Sequence, residues 1–179
     1  MSKLTDFARQ SASALGRGVT KYAERGSAEL HYARKMFEAG ALKMDPLTFA
    51  NLLADMARWG EIGMIPALNA RRSPDRVAVI DDDGEMTFAE LDAAAHAVAN
   101  ALRAKGVQDG DGVALLIRNH RWFLVALYGA ARVGARMILL NSEFSGPQIK
   151  EVSEREGAKL IIHDDEYTAA VAEADPPLG

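Results

Sequence analysis

The chain has 179 residues, no cysteine, 49% hydrophobic residues and a formal net charge of −4. This length suits one globular domain with its own core, and the lack of cysteine excludes a disulfide scaffold, a thiolate metal site and a cysteine nucleophile. No apolar run approaches the roughly 20 residues of a bilayer-spanning helix and no signal-peptide pattern opens the sequence, so a cytoplasmic protein is expected.

The charge is divided unevenly along the chain. Residues 1–44 carry eight Lys or Arg and four Asp or Glu, a net charge of +4, which leaves −8 for the remainder. A basic segment of this kind is typical of a peripheral membrane contact, or of an arm that packs on its own acidic body or on a second subunit. Nucleic-acid binding is disfavoured, because the body is acidic and contains no recognised module.

The first sixty residues have helical patterning. Apolar residues from Leu4 to Tyr22 follow helical spacing, Ser27 is expected to cap a second helix, and Asp45-Pro46 predicts a third that runs to about residue 58. We therefore expect a helical basic leader over residues 1–62.

From residue 63 onward, short β-rich runs alternate with helical patterns. Thr87 and Glu90 have the spacing of a capping box at the start of a long helix. The predicted strands cover 76–81, 113–117, 136–140 and 159–163, and the predicted helices cover 88–105, 121–133, 146–156 and 167–174. Three of the strands alternate with helices, as a parallel sheet requires. The fold class expected over 63–179 is α/β, a partial parallel sheet with flanking helices.

Local motifs for catalysis or metal binding are missing from the sequence. There is no phosphate-binding G-x-x-x-x-G-K-[ST] loop, and the residues after Gly110 and Gly112 do not follow the dinucleotide fingerprint. The acidic runs 81–83 and 164–166 lack calcium-loop spacing, so solvated strand ends are the better interpretation. The four histidines are widely separated and predict no metal site: His31, His96, His120 and His163.

Two asparagines are the weak candidates for cofactor binding. Asn119 and Asn141 each follow a predicted parallel strand, and open α/β sheets bind ligands beyond the carboxyl ends of their strands. The alternative is that each caps the next helix or satisfies turn backbone. Trp122, Phe123 and Tyr128 share one predicted helix and have two interpretations, the lining of an acyl tunnel or core packing, of which we favour core packing.

A series of short motifs resembles the opening of the superfamily of acyl-CoA synthetases, luciferases and peptide-synthetase adenylation domains. Their order and spacing carry the resemblance: IPALN at 65–69, SPDRVAV at 73–79, TFAEL at 87–91, VALL at 113–116, ARVGA at 131–135, LLN at 139–141 and GAKLII at 157–162. Two departures stand out. Gly112 replaces a residue that is usually charged, and SGPQ at 145–148 lacks the usual glutamate. The leader is similar to that of long-leader fatty-acid–CoA ligases.

The resemblance implies a two-step ligase. A fatty acid attacks the α-phosphate of ATP, with magnesium, and coenzyme A then displaces AMP from the acyl-adenylate. The family's phosphate loop, nucleotide motifs and catalytic lysine lie beyond the equivalent of Gly179, so the resemblance implies no catalytic residue here and an inactive isolated chain. Two alternatives remain open: a fatty acyl-AMP ligase that loads a carrier protein, and a non-catalytic membrane-surface or interaction module. A homo-oligomer is also possible.

Overall fold

The computed structural model describes residues 46–179; the predictions for residues 1–45 lie outside this range. Helix α1 (Pro46–Gly63) begins at the predicted proline and continues past residue 58, with a break at Gly60, where φ is 68°. Helix α2 (Ile65–Arg72) follows directly and was not predicted. Its proline in the first turn is a favourable helix start, because the missing N–H would have had no partner there.

Strands β1 (Val77–Asp81) and β2 (Gly84–Thr87) form an antiparallel hairpin that is separate from the parallel sheet. The tight turn between them is supported by Asp81, whose Oδ1 accepts a hydrogen bond of 3.1 Å from the Asp83 N–H. The sequence predicted β1 and the turn. It did not predict β2, because four residues with one buried side chain carry little periodicity.

Helix α3 (Phe88–Ala104) starts with the predicted capping box. The Thr87 hydroxyl accepts from the Glu90 N–H at 3.3 Å, and the Glu90 carboxylate accepts from the Thr87 N–H at 2.8 Å. Two N–H groups that the helix itself cannot pair are thereby satisfied. Within residues 46–179, none of the helices combines the length and the apolar character needed to cross a bilayer.

The predicted parallel sheet is confirmed, in the order β4-β3-β5. Its strands are β3 (Gly112–Leu116), β4 (Arg136–Leu139) and β5 (Ala158–His163), connected through helices α4 (Arg121–Arg132) and α5 (Gly146–Glu156). All five residues of β3 are buried, as expected for the central strand. The helix predicted over 167–174 is instead a 3₁₀ turn, Asp165–Tyr167, followed by the one-turn helix α6 (Thr168–Val171).

The central strand separates two hydrophobic clusters. Val113 and Leu115 pack with α3 and α4 on one face, whereas Ala114 and Leu116 pack with α5 and α6 on the other. Each fully buried aliphatic side chain contributes about 1.5–3 kcal/mol. The parallel sheet is therefore covered on both faces.

Gly112 is explained by the close approach of β3 and β5. A Cβ at this position would lie 2.6 Å from the Gly157 carbonyl oxygen and 3.2 Å from the Ala158 Cα. The pairing of the two strands shifts register at the same point, between Gly112 and Val113. A charged side chain has no room here.

Arg132 connects α1, α3 and α4 near the amino-terminal end of the sheet. Its side chain is 0% exposed, its Nε donates to the Gly63 carbonyl at 3.0 Å, and its guanidinium pairs with the Asp92 carboxylate. The guanidinium also lies over the Trp59 ring at 4.6 Å and 3.2 Å from the His96 Nδ1. The buried charge is thus fully compensated by groups of this chain.

Candidate functional site

The topology places a candidate site at the carboxyl ends of β3 and β4. The chain leaves β3 for α4 on one face of the sheet and leaves β4 for α5 on the other face. In open α/β sheets, the crevice where neighbouring strands send their connections in opposite directions is the usual position for a ligand. Asn119 and Asn141 follow these two strands, so the structure brings both candidates to the same edge of the sheet.

Asn119 is exposed and lies in the loop between β3 and α4. It lines a cavity of about 510 Å³ together with Arg118 and His120. Its side chain makes no hydrogen bond to any of residues 46–179, and the residue that caps α4 is His120. Asn119 therefore does not have the capping role that the sequence offered as its alternative. Its role as a ligand-binding residue stays a prediction.

Asn141 is engaged in the loop that leads to α5. Its Oδ1 accepts from the Glu143 N–H and its carbonyl oxygen accepts from the Phe144 N–H, each at 3.0 Å. This is the turn-stabilising role that the sequence offered as the alternative to ligand binding. Gln148 substitutes for the missing glutamate at the start of α5, because its Oε1 accepts from the Ser145 N–H at 2.9 Å.

His120 and Asp164 form a hydrogen-bonded pair at this edge. The His120 Nδ1 accepts from the Trp122 N–H at 3.3 Å, so in the neutral ring the proton is on Nε2, which donates to the Asp164 carboxylate at 3.1 Å. Asp164 also accepts from the Arg118 N–H at 2.8 Å. Both ring nitrogens of His120 are therefore occupied, and neither is available as a general base.

The two arginines at this edge are neutralised by carboxylates. Hydrogen bonds with Glu166 raise the pKa of Arg118 and lower that of Glu166, and the Arg118 guanidinium lies 5.9 Å from the centre of the Tyr167 ring. Arg121 donates from Nε to both carboxylate oxygens of Asp81 at 3.0 Å, which fixes the hairpin to the start of α4. Hydrogen bonds from Arg121 hold the pKa of Asp81 far below its ordinary value.

Two aromatic residues of α4, Tyr128 and Trp122, differ in their surroundings. Tyr128 packs against the cluster of Met86, Leu91 and Val125, and burial raises its pKa. Trp122 is 51% exposed and borders the cavity beside Asn119. Core packing thus describes Tyr128, whereas Trp122 belongs to the candidate site.

This chemistry does not fit a triphosphate or a magnesium ion. Phosphate binding needs uncompensated donors, but Arg118 and Arg121 are paired with carboxylates, and further carboxylates line the cavity, those of Asp82, Asp83 and Asp164. Within residues 46–179, no three His, Asp or Glu side chains are grouped so that they could hold a metal ion. His31 lies outside the described residues. The site can accept a hydrogen-bonding or cationic group, but it supplies no phosphate-binding cation.

A second concave region, of about 750 Å³, lies at the opposite end of the sheet, under α1. Three arginines line it and each is engaged: Arg132 as described, Arg103 with the Arg132 carbonyl at 2.7 Å, and Arg58 over the Trp59 ring at 5.0 Å. Packing of α1 onto the domain accounts for this region.

The sequence did not reveal the pairing of His120 with Asp164 or the pairing of Asp81 with Arg121. Both depend on contacts between loops that the sheet brings together, over sequence separations of 44 residues for His120 and Asp164 and 40 for Asp81 and Arg121. The only available signal was position: Asp81 ends a predicted strand, and Arg121 begins a predicted helix.

Comparison with known proteins identifies similar sequences and folds. Residues 67–178 match the family described as AMP-binding enzyme. The chain is 36% identical over 111 residues to feruloyl-CoA synthase of an Amycolatopsis species, covering 62% of this chain and 23% of that protein. It is 33% identical over 122 residues to the long-chain-fatty-acid–CoA ligase FadD13 of Mycobacterium tuberculosis, covering 65% and 24%.

Among solved structures, the fold resembles a Mycobacterium tuberculosis fatty acyl CoA synthetase. The TM-score is 0.61 at 30% identity, covering 69% of this chain and 25% of that one. The chain therefore spans about a quarter of the length of the relatives that it matches.

Proposed function

Since the chain belongs to the AMP-binding enzyme family of adenylate-forming acyl- and aryl-CoA ligases, we propose that it provides the first α/β part of a fatty-acid–CoA ligase. The reaction proposed for the whole enzyme joins a fatty acid to ATP as an acyl-adenylate with release of pyrophosphate, after which the thiol of coenzyme A displaces AMP. The match of residues 67–178, on a fold shared with solved synthetases, carries the proposal.

Within this proposal the described residues form framework and contribute no catalytic group. The arginines at the carboxyl edge are neutralised, so no step with ATP, magnesium or coenzyme A is assigned to them. Their proposed role is to hold the edge of the sheet, with Asn119 and Trp122 exposed on it, against the rest of the catalytic domain. The isolated chain is accordingly expected to be inactive.

The proposal is tested in a hybrid enzyme. In the Mycobacterium tuberculosis long-chain ligase, the segment that matches this chain is replaced by residues 67–178, and exchange of labelled pyrophosphate into ATP is measured with palmitate and with ferulate. Exchange that depends on palmitate supports a fatty-acid ligase framework. The relative with the segment deleted is the control, and a hybrid no more active than that control would contradict the proposal.

The acyl acceptor is a separate question, because a fatty acyl-AMP ligase performs the same first step. The measurement needs the whole enzyme of which this chain is proposed to be a part. Consumption of free coenzyme A by that enzyme in the presence of palmitate would support a fatty-acid–CoA ligase. Adenylate formation without coenzyme A consumption, together with acylation of a carrier protein, would support the alternative.

A peripheral membrane contact through residues 1–44 is a second candidate function, favoured by their net charge of +4. It is tested by co-sedimentation of the full chain and of a chain lacking residues 1–44 with vesicles containing phosphatidylserine. Loss of sedimentation in the shorter chain supports the contact, and equal recovery of both contradicts it.

A further inference from the structure

Exposed large apolar side chains are concentrated ahead of the residues that match the AMP-binding family, which begin at residue 67. Within residues 46–179, those in the matched part are Ile80, Trp122 and Leu139, and those ahead of it are Leu47, Leu53, Met56, Ile62 and Ile65. Most of this exposed apolar surface therefore belongs to α1 and the first residue of α2, which lie outside the matched residues.

Helix α1 has an apolar side that faces solvent. Every exposed position described from residue 47 to residue 57 is apolar. Apart from Leu47, these positions are Ala50, Leu53, Ala54, Met56 and Ala57. We call these five residues the outward face of α1. A surface helix ordinarily presents charged and polar residues to water, so this face has the composition of a contact surface.

The opposite side of α1 is fixed to the domain. Asp55 is 7% exposed and its carboxylate pairs with Arg71 of α2. One turn further on, the Trp59 ring lies 4.6 Å from the Arg132 guanidinium. These contacts orient the helix, so the outward face is exposed while α1 stays packed on its own domain.

The charge of the chain changes sign across this segment. Residues 45–76 carry four Lys or Arg and four Asp or Glu, a net charge of zero, whereas residues 77–179 carry nine and 17, a net charge of −8. The residues with a net charge of +4 directly precede α1. An anionic surface is therefore attracted to the chain ahead of the outward face and repelled by the chain that follows α2.

We propose that the outward face of α1 contacts the apolar boundary of an anionic lipid bilayer, just beneath the headgroups. This inference rests on the proposed membrane contact through residues 1–44. Those residues supply the electrostatic attraction, and Leu53 and Met56 supply apolar area that leaves water. Basic residues combined with an apolar helix face are what hold a protein along the surface of an anionic membrane.

A second copy of the chain is a less favourable occupant of the outward face. Pairing of two copies through α1 would bring together two chains that each carry a charge of +4 immediately before this helix. Like charges repel, whereas an anionic bilayer neutralises them. The bilayer therefore fits both the apolar face and the charge that precedes it.

A single fluorescent label tests the contact directly. Because the chain has no cysteine, Leu53→Cys in the full chain can carry one nitrobenzoxadiazole group. With vesicles of phosphatidylcholine and phosphatidylserine, we expect its emission to rise at least about twofold and to be quenched by lipids with a doxyl group on the acyl chain. Ile80→Cys is the matched control, since Ile80 is 73% exposed but lies in the acidic part, and its label should not respond. An unchanged Leu53 label on a chain that sediments with the vesicles would overturn the proposal.

A matched pair of double variants measures the contribution of the face. Leu53→Gln with Met56→Gln should weaken partition onto the same vesicles at least about fivefold. Ile80→Gln with Leu139→Gln removes two exposed apolar side chains from the acidic part and should leave partition unchanged. All four side chains are exposed, so urea unfolding should show both variants folded. Equal partition of the two double variants would overturn the proposal.

The same labelled chain separates a bilayer from a second copy. Without vesicles, emission of the Leu53 label should not depend on protein concentration. Emission that rises with protein concentration, without quenching by doxyl lipids, would assign the face to a second copy and overturn the bilayer proposal.

The proposed contact of residues 1–44 and the contact of α1 can fail separately. Sedimentation that is lost on removal of residues 1–44, with no response of the Leu53 label in the full chain, would retain the first and contradict the second. Equal sedimentation of the full and shortened chains, with a quenched Leu53 label in both, would do the reverse.

Discussion

At the amino-terminal end of the sheet, the Arg132 side chain is completely buried, and it donates to the carbonyl oxygens of Gly63 and Asp92 and to the Asp92 carboxylate. At the carboxyl-terminal end, the Arg118 side chain is 59% exposed and pairs with Glu166 in solvent. Both arginines have carboxylate partners, but only the first is enclosed by this chain. The amino-terminal end is thus completed by residues that the chain itself provides.

The carboxyl-terminal end differs in its apolar surface as well. Ile80 is 73% exposed and Trp122 51% exposed beside the unbonded Asn119. Large exposed apolar side chains next to a cavity mark surfaces that other groups cover. The amino-terminal end of the sheet is therefore enclosed by the described residues, whereas the carboxyl-terminal end leaves large apolar side chains exposed.

Loss of Arg132 should have the largest effect on stability. Arg132→Ala leaves Asp92 without its partner and opens space beside Trp59, so we expect the free energy of unfolding in urea to fall by about 3 kcal/mol. Arg118→Ala is the matched control and should change stability much less, because an exposed ion pair contributes little. Equal losses in the two variants would contradict the contrast between the ends.

Gly112→Ala tests the close packing at the amino-terminal start of β3. The added Cβ would lie 2.6 Å from a backbone carbonyl oxygen that has few ways to move. We expect a loss of about 2 kcal/mol in the same urea measurement. A variant as stable as the parent would show that β3 and β5 can separate without cost.

Asp81→Asn tests the ion pair between Asp81 and Arg121 at the carboxyl-terminal end of the sheet. Arg121 lowers the pKa of Asp81 in the folded chain, so this carboxylate stabilises the fold above its unfolded pKa of about 3.9 and loses that effect as the pH falls further. The melting temperature of the parent should exceed that of the variant at pH 7, and the gap should narrow below about pH 4. Asp82→Asn, at an exposed neighbour, should show no such gap; a pH-independent difference for Asp81→Asn would contradict the assigned ion pair.

Variants of the two asparagines should have the smallest effects on stability, and the two effects should differ. Asn141→Ala removes a turn hydrogen bond and should cost about 1 kcal/mol, whereas Asn119→Ala should stay within about 0.5 kcal/mol of the parent. If Asn119 contacts a ligand, its variant should instead reduce pyrophosphate exchange in the hybrid enzyme. An Asn119→Ala protein that is destabilised like Asn141→Ala would assign Asn119 a structural role.

The sequence was most informative where local chemistry decides the structure. The capping box at Thr87 and Glu90, the parallel strands and the helices between them all depend on short-range patterns, and the structure confirms them. The order and spacing of the sequence motifs also indicated the correct family. The eight-residue helix α2 and the four-residue strand β2 were missed, because neither is long enough for a clear period.

Tertiary contacts at the candidate site were beyond local patterns. The sequence placed Asn119 and Asn141 after parallel strands, but it could not distinguish their roles. Those roles depend on which residue caps the following helix and on which backbone N–H donates to the asparagine side chain in the turn. The compensation of Arg118 by Glu166 joins loops 48 residues apart. Such pairs determine whether an edge can bind phosphate, and they become visible only in the folded chain.

Exchange of labelled pyrophosphate into ATP, measured side by side for the isolated chain and for the hybrid enzyme, tests whether this chain supplies framework without catalytic groups. We predict palmitate-dependent exchange by the hybrid and none by the isolated chain, because residues 67–178 would supply framework and the catalytic groups would come from elsewhere. An inactive hybrid that folds like the parent ligase would contradict the framework role. Exchange by the isolated chain would contradict the absence of catalytic groups.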